Sequence, residues 1–149
     1  MADDDGIIAE RLKLLEEYIA ELRDLQDVTF QEYLDNKFIR KFVERTLQTA
    51  LEACFDIGHR LISIEGFRYP SDNKDVFAVL VEEKVLPWEL LPTLQNMVGF
   101  RNVLVHEYAK LDHAAVYGVF KKRLGDFDAY AEAIVSYLEG LQTEAGNED

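Results

Sequence analysis

Three residues between positions 101 and 106 could do chemistry together: Arg101, Asn102 and His106. An imidazole, with an ordinary pKa of about 6.5, takes or gives a proton near neutral pH. A guanidinium is a planar, permanently charged fork suited to an oxyanion, and an amide can orient either group. On a helix advancing about 100° per residue, with Arg101 as zero, Asn102 falls near 100° and His106 near 140°, while Met97, Phe100 and Leu104 gather near 260–320°. The spacing predicts a polar face carrying Arg101, Asn102 and His106 opposite an apolar stripe, with Tyr108 near 340° on the side of Arg101. Each residue alone has an ordinary reading: a solvated arginine, a tolerated asparagine, a histidine complementing a helix C-terminus.

Their setting is unusual for this chain. The 149 residues carry a net charge of −13, which argues against general nucleic-acid coating. Residues 101–125 nevertheless hold five basic and two acidic side chains, whereas residues 126–149 hold seven acidic and no basic ones. The constellation therefore lies in the most cationic window of an acidic protein.

The elements that must position it are helical. Ile8, Leu12, Leu15, Ile19 and Leu22 recur at steps of four and three, one buried helix face. Thr29-Phe30-Gln31-Glu32 reads as a capping box opening a short helix or the next long one. Ile39, Val43, Leu47, Ala50, Cys54, Ile57 and Leu61 mark a second long stripe ending near Gly66. Residues 67–73 form a loop, and Asp72 or Asn73 caps a short helix to about Lys84. Pro87 starts the next helix, with a kink or restart at Pro92 and an end near Tyr108. Asp112 caps a last helix running through Val116, Phe120, Leu124, Phe127, Ala131, Ile134 and Leu138 to Gly140 or just beyond.

Strand alternation and internal repeats are absent, so the expected fold is an all-α, up-and-down bundle of four to five helices. Residues 1–142 form one domain, and residues 143–149 form an acidic tail expected to be disordered. The acidic N-terminus, the absence of a long apolar run and the single Cys54 point to the cytoplasm, with no membrane partner.

Several chemistries are excluded. There is no Gly-rich phosphate loop, no Gly-x-Ser-x-Gly elbow and no His-Glu-x-x-His pair. A carboxylate-bridged di-metal site needs two Glu-x-x-His motifs, and Asp56-Ile57-Gly58-His59 is the nearest match, without a second copy. That segment instead predicts an Asp56–His59 pair satisfying a half-buried imidazole. No metal and no cofactor is expected.

The string from Phe100 to Tyr108, Phe-Arg-Asn-Val-Leu-Val-His-Glu-Tyr, resembles the Arg-x4-His-x-Tyr motif of the HEPN superfamily, in its HepT-like toxin branch. Met97-Val98-Gly99, Asp112 and Phe55-Asp56-Ile57-Gly58 are similar to that branch as well. The resemblance implies a homodimeric HEPN bundle and a metal-independent endoribonuclease acting as the toxin of a toxin–antitoxin pair. It also implies an MntA-type nucleotidyltransferase antitoxin that inactivates the toxin by AMPylating the motif tyrosine, here Tyr108. The catalytic residues it assigns are Arg101 and His106.

The residue chemistry fits. RNA carries its own nucleophile, the 2′-OH, so cleavage needs acid–base help from His106 and charge stabilisation from Arg101. Asn102 would orient the phosphate or the imidazole. Lys110, Lys121, Lys122 and Arg123 would track the RNA backbone, or form only a solvated face. Net charge favours a compact RNA such as tRNA over mRNA or another long single strand. The alternatives at this point are a non-catalytic helical module binding a nucleotidyltransferase, and a metal-carboxylate bundle.

Overall fold

A computed structural model describes the backbone of residues 2–106 and 108–147, and the side chains of residues 6–106 and 109–144. The described chain holds seven α-helices and no strand: α1 (Ala2–Arg23), α2 (Phe30–Asp35), α3 (Lys37–Glu65), α4 (Asn73–Glu82), α5 (Leu91–His106), α6 (His113–Lys122) and α7 (Leu124–Asn147). Single 3₁₀ turns occupy Trp88–Leu90 and Tyr108–Lys110. The all-α expectation holds, and the helix count exceeds the expected four to five because the short α2 stands apart from α3 and the last stripe is divided into α6 and α7.

The first break is at Asn36, whose extended backbone closes α2 while its side-chain oxygen accepts the Phe38 and Ile39 N–H groups at 3.0 and 3.1 Å, opening α3. The Arg40 guanidinium reaches back to the Tyr33 and Leu34 carbonyls at the end of α2. The second break is at Arg123, which ends α6 before α7 begins at Leu124. Thr29 caps the short α2 and Asp72 caps α4 through the Asp75 N–H. Pro92 marks the expected restart, since the 3₁₀ turn Trp88–Leu90 gives way to α5 at Leu91. It sits at the second position of α5, in the first turn, where a missing N–H costs no intrahelical bond. The last helix continues past the end expected near Gly140, to Asn147.

Helix α3 is the axis of the fold and packs against α1, α2, α4, α5 and α6. Its stripe of Val43, Leu47, Ala50, Cys54, Ile57 and Leu61 is buried, meeting Ile8, Leu15, Ile19 and Leu22 of α1 and Phe127, Tyr130 and Ile134 of α7 in one core. Tyr130 donates its hydroxyl to the Cys54 carbonyl at 2.9 Å, so this buried phenol is satisfied and locks α7 to α3. Burial raises both the Cys54 thiol and the Tyr130 phenol far above their ordinary pKa, leaving both neutral. Gly66, at φ +70°, ends α3 in the left-handed conformation that glycine adopts without steric cost. Among the described residues no helix is long and apolar enough to cross a membrane.

Candidate active site

Helix α5 carries the motif. Leu94, Met97, Val98 and Leu104 are buried and seat α5 on α3 and α4, which fixes the rotation of the helix. Asn102 and His106 are exposed, as the spacing predicts. Arg101 departs from that prediction. Its side chain is only 25% exposed, because it lies at the border of the apolar stripe and turns toward α3.

There the guanidinium meets Glu52. Arg101 Nη2 stands 3.5 Å from Glu52 Oε1, and Nη1 donates to Asn102 Oδ1 at 3.4 Å. Gln48, one turn earlier on α3, donates to the same Glu52 Oε1 at 3.1 Å. Arg101 Nε is buried without an acceptor. A buried donor left unpaired costs about 1–3 kcal/mol, so the protein alone does not satisfy this fork. Asn102 thus orients the guanidinium. No hydrogen bond joins Asn102 or Arg101 to His106 among the described residues. Across five residues, Arg101 and His106 are separated by about 7.5 Å of helix rise, so one phosphate group can be flanked by both only from beside the helix.

Sequence reasoning missed Glu52. It lies far from the motif in sequence, and nothing local marks it; only the packing of α3 against α5 brings it to Arg101. The same packing opens a polar groove of about 260 Å³ lined by Lys41, Glu44, Arg45, Gln48 and Leu104. Glu44 is 8% exposed, and burial raises its carboxyl pKa, opposed by the nearby charges of His113, Arg40 and Lys41. On another side of α5, a small cleft of about 80 Å³ is lined by Met97, Phe100, Arg123 and Asp126.

The cationic residues expected to track RNA are dispersed in role. Lys121 donates to the Gln26 carbonyl and lies 5.9 Å over the Tyr117 ring, tying α6 to the segment after α1. Arg123 pairs with Asp126 at 3.1 Å. Lys110 and Lys122 are exposed. Tyr108 follows α5 in the 3₁₀ turn, and its side chain lies outside the described residues.

The expected Asp56–His59 pair does not form. Asp56 is taken by Arg11 at 3.0 Å and Arg60 at 3.1 Å, and His59 Nε2 lies 3.3 Å from Asn73 Oδ1. Two permanently charged guanidinium groups hold the carboxylate in place of the imidazole. Among the described residues no three His, Cys, Asp or Glu side chains are grouped to hold a metal ion.

The chain is similar to known proteins over most of its length. Residues 15–134 match the family described as ribonuclease HepT-like. The tRNA nuclease HepT of Aphanizomenon flos-aquae is 30% identical over 138 residues, 93% of this chain and 94% of the relative. The mRNA nuclease HepT of Shewanella oneidensis is 32% identical over 88 residues, 59% of this chain and 66% of the relative. A solved structure of tri-AMPylated Shewanella oneidensis HEPN toxin in complex with MNT antitoxin superimposes with a TM-score of 0.80 at 25% identity, covering 87% of this chain and 97% of the toxin chain.

Proposed function

The chain belongs to the ribonuclease HepT-like family and is an endoribonuclease toxin of a toxin–antitoxin system, and we propose that it cleaves RNA without a metal, at Arg101 and His106 in a dimer cleft. The observation that carries the reading is the α5 arrangement itself: an exposed imidazole and a guanidinium held against α3 with one donor unspent.

In this reading His106 takes the proton from the ribose 2′-OH, whose oxygen attacks the adjacent phosphorus. The P–O5′ bond breaks, leaving a 2′,3′-cyclic phosphate and a 5′-OH. Arg101 stabilises the charge that develops on the phosphate oxygens, and Asn102 holds the guanidinium in plane with it. One histidine serves as base; the leaving O5′ needs an acid, and the partner subunit's His106 supplies it in a homodimer. The outer face of α5 supports such pairing. Val103 is 37% exposed, and a Cβ placed on Gly99 would meet nothing within 4 Å, so this face is open to a second helix.

The substrate is tRNA in preference to mRNA, which accords with the nuclease name of the relative that covers nearly the whole chain and with the net charge of −13. The antitoxin is an MntA-type nucleotidyltransferase, and AMP transfer to Tyr108 adds a phosphodiester and an adenine directly after α5, competing with RNA for Arg101. The protein acts in the cytoplasm. Residues 1–142 form the working domain, and the acidic residues beyond them take no part in catalysis.

The test is cleavage of a total tRNA pool by the parent and by His106→Ala, each checked by intact mass for added AMP. Cleavage by the unmodified parent alone is expected. No cleavage by an unmodified, dimeric parent would replace the enzyme by an interaction module.

A further inference from the structure

Of the four cations chosen from the sequence as an RNA track, Lys121 and Arg123 are engaged elsewhere, and the structure offers a further set. Residues 37–45 at the start of α3 carry four basic side chains and one acidic one, the reverse of the balance of the whole chain. The acidic one, Glu44, is 8% exposed and lines the same groove as Lys41 and Arg45, where the charges of Arg40 and Lys41 act on its carboxyl. Arg40 is occupied by the carbonyls at the end of α2. That leaves Lys37, Lys41 and Arg45, all exposed, and none of them forms an ion pair among the described residues.

Their placement is ordered. Phe38, Lys41, Arg45, Gln48 and Glu52 follow one another at steps of three and four, which puts them on one ridge of the helix. The ridge is about 21 Å long and ends at the carboxylate that meets Arg101. Lys41 and Arg45 line the groove between α3 and α5 together with Leu104, one turn from Arg101. At the outer end Phe38 is 82% exposed, an apolar ring that no core contact explains.

Exposed cations spaced along a ridge, with an exposed aromatic at one end and a phosphate-type site at the other, match what a single strand of RNA presents. Phosphates take the cations, and a base takes the ring face by stacking. Resting on the ribonuclease reading above, we propose that the Phe38–Lys41–Arg45 ridge of α3 is the track that seats the substrate RNA, with the scissile phosphate at Arg101. Lys41 and Arg45 hold backbone phosphates and Phe38 stacks an unpaired base. Lys41 and Arg45 give an acidic protein a local cationic pair for RNA phosphates, while Glu32 and Asp35 border the Phe38 end of the ridge.

The experiment measures RNA affinity in the cleavage-deficient His106→Ala protein, with and without Lys41→Ala/Arg45→Ala, on tRNA and on a single-stranded oligoribonucleotide at several salt concentrations. The expected result is a loss of about tenfold or more in affinity, with the slope of log affinity against log salt flattened by about 1.5 for two lost phosphate contacts. Phe38→Ala is expected to weaken the single-stranded oligomer with the salt slope unchanged. In the cleaving parent, the Lys41/Arg45 double variant raises KM and keeps kcat, the signature of lost uniform binding. Unchanged affinity and slope overturn the proposal. So does loss of binding to the antitoxin alone, which would make the ridge a protein interface. Failure of the parent to cleave any RNA is a different result: it removes the ribonuclease reading, whereas a parent that cleaves equally well without Lys41 and Arg45 removes only the track.

Discussion

Helix α3 packs by opposite rules on two of its sides. Against α4 and α7 it is close and apolar: a Cβ on Gly58 would stand 2.6 Å from Val76 Cγ1, 3.3 Å from the Tyr130 hydroxyl and 3.4 Å from Leu80 Cδ1. Every one of those partners is fully buried. Against α5 part of the contact is apolar through Leu94 and Met97, and part is polar, with Gln48 hydrogen-bonded to Glu52, Glu52 ion-paired with Arg101 and one guanidinium nitrogen left over. The first contact spends its chemistry on stability. The second leaves charge and donor capacity incompletely used, which is the cost a site carries when it must receive a ligand.

That contrast can be broken by substitution. On the α5 side, His106→Ala is expected to lower kcat by about 10²–10⁴-fold with the melting temperature unchanged, since the imidazole is exposed and bonds to nothing described. Arg101→Lys keeps the charge and loses the fork, so steady-state cleavage is expected to fall by about 10²-fold, again with little change in stability. On the α4 side the pattern reverses. Gly58→Ala forces Val76 aside and is expected to cost about 1–3 kcal/mol in denaturant unfolding, while activity per folded molecule is retained. A Gly58→Ala protein that is stable but inactive would mean that the two contacts are not separable.

Smaller effects sharpen the picture. Glu52→Gln removes the carboxylate that positions Arg101 and leaves a neutral partner of the same size. The pair is part-exposed and worth no more than about 1 kcal/mol, so kcat/KM is expected to fall by no more than about fivefold, with the pH profile preserved. Farther away, Arg68 forks between Asp75 at 2.8 Å and Glu82 at 2.8–2.9 Å, pinning the loop after α3 to α4. Hydrogen bonds from Arg68, and then from Ser71, hold the Asp75 carboxyl well below its ordinary 3.8. A depressed carboxyl stabilises the fold above its unfolded pKa, and that contribution is lost as pH falls below about 3.8 toward the folded value. Arg68→Ala should therefore flatten the loss of melting temperature between pH 4 and pH 2 by a small amount, because the groups are at the surface.

Much of this was legible in the sequence, and the reasons are local. Stripes at steps of three and four named the buried α1 face and the central line of the α3 core but not its flanks at Leu51, Phe55 and Ile62, and the caps at Thr29, Asp72, Gly66 and Asp112 stood where their side chains or backbones could close a helix. The Arg101–Asn102–His106 constellation was visible because it lies within two turns of one helix. What escaped depends on which helix lies beside which. Arg101 faces α3 because the apolar surface of α5 is wider than its strict stripe, and no spacing reveals Glu52 as its partner. Asp56 pairs with Arg11 rather than His59 because α1 crosses α3 there. Lys121 looked free as a member of a charge cluster, yet the fold aims it at the Gln26 carbonyl. Local order is written in the spacing, while the partners across helices are written in the packing.

The central claim is that this site cuts RNA with the chain's own imidazole and guanidinium, using the ribose 2′-OH as nucleophile. Its most direct test is cleavage of tRNA by the unmodified protein in excess EDTA, with the ends of the products identified. Undiminished cleavage leaving 2′,3′-cyclic phosphate and 5′-OH ends is the predicted result. Cleavage abolished by EDTA and restored by a divalent ion, or products with 5′-phosphate ends, would contradict it.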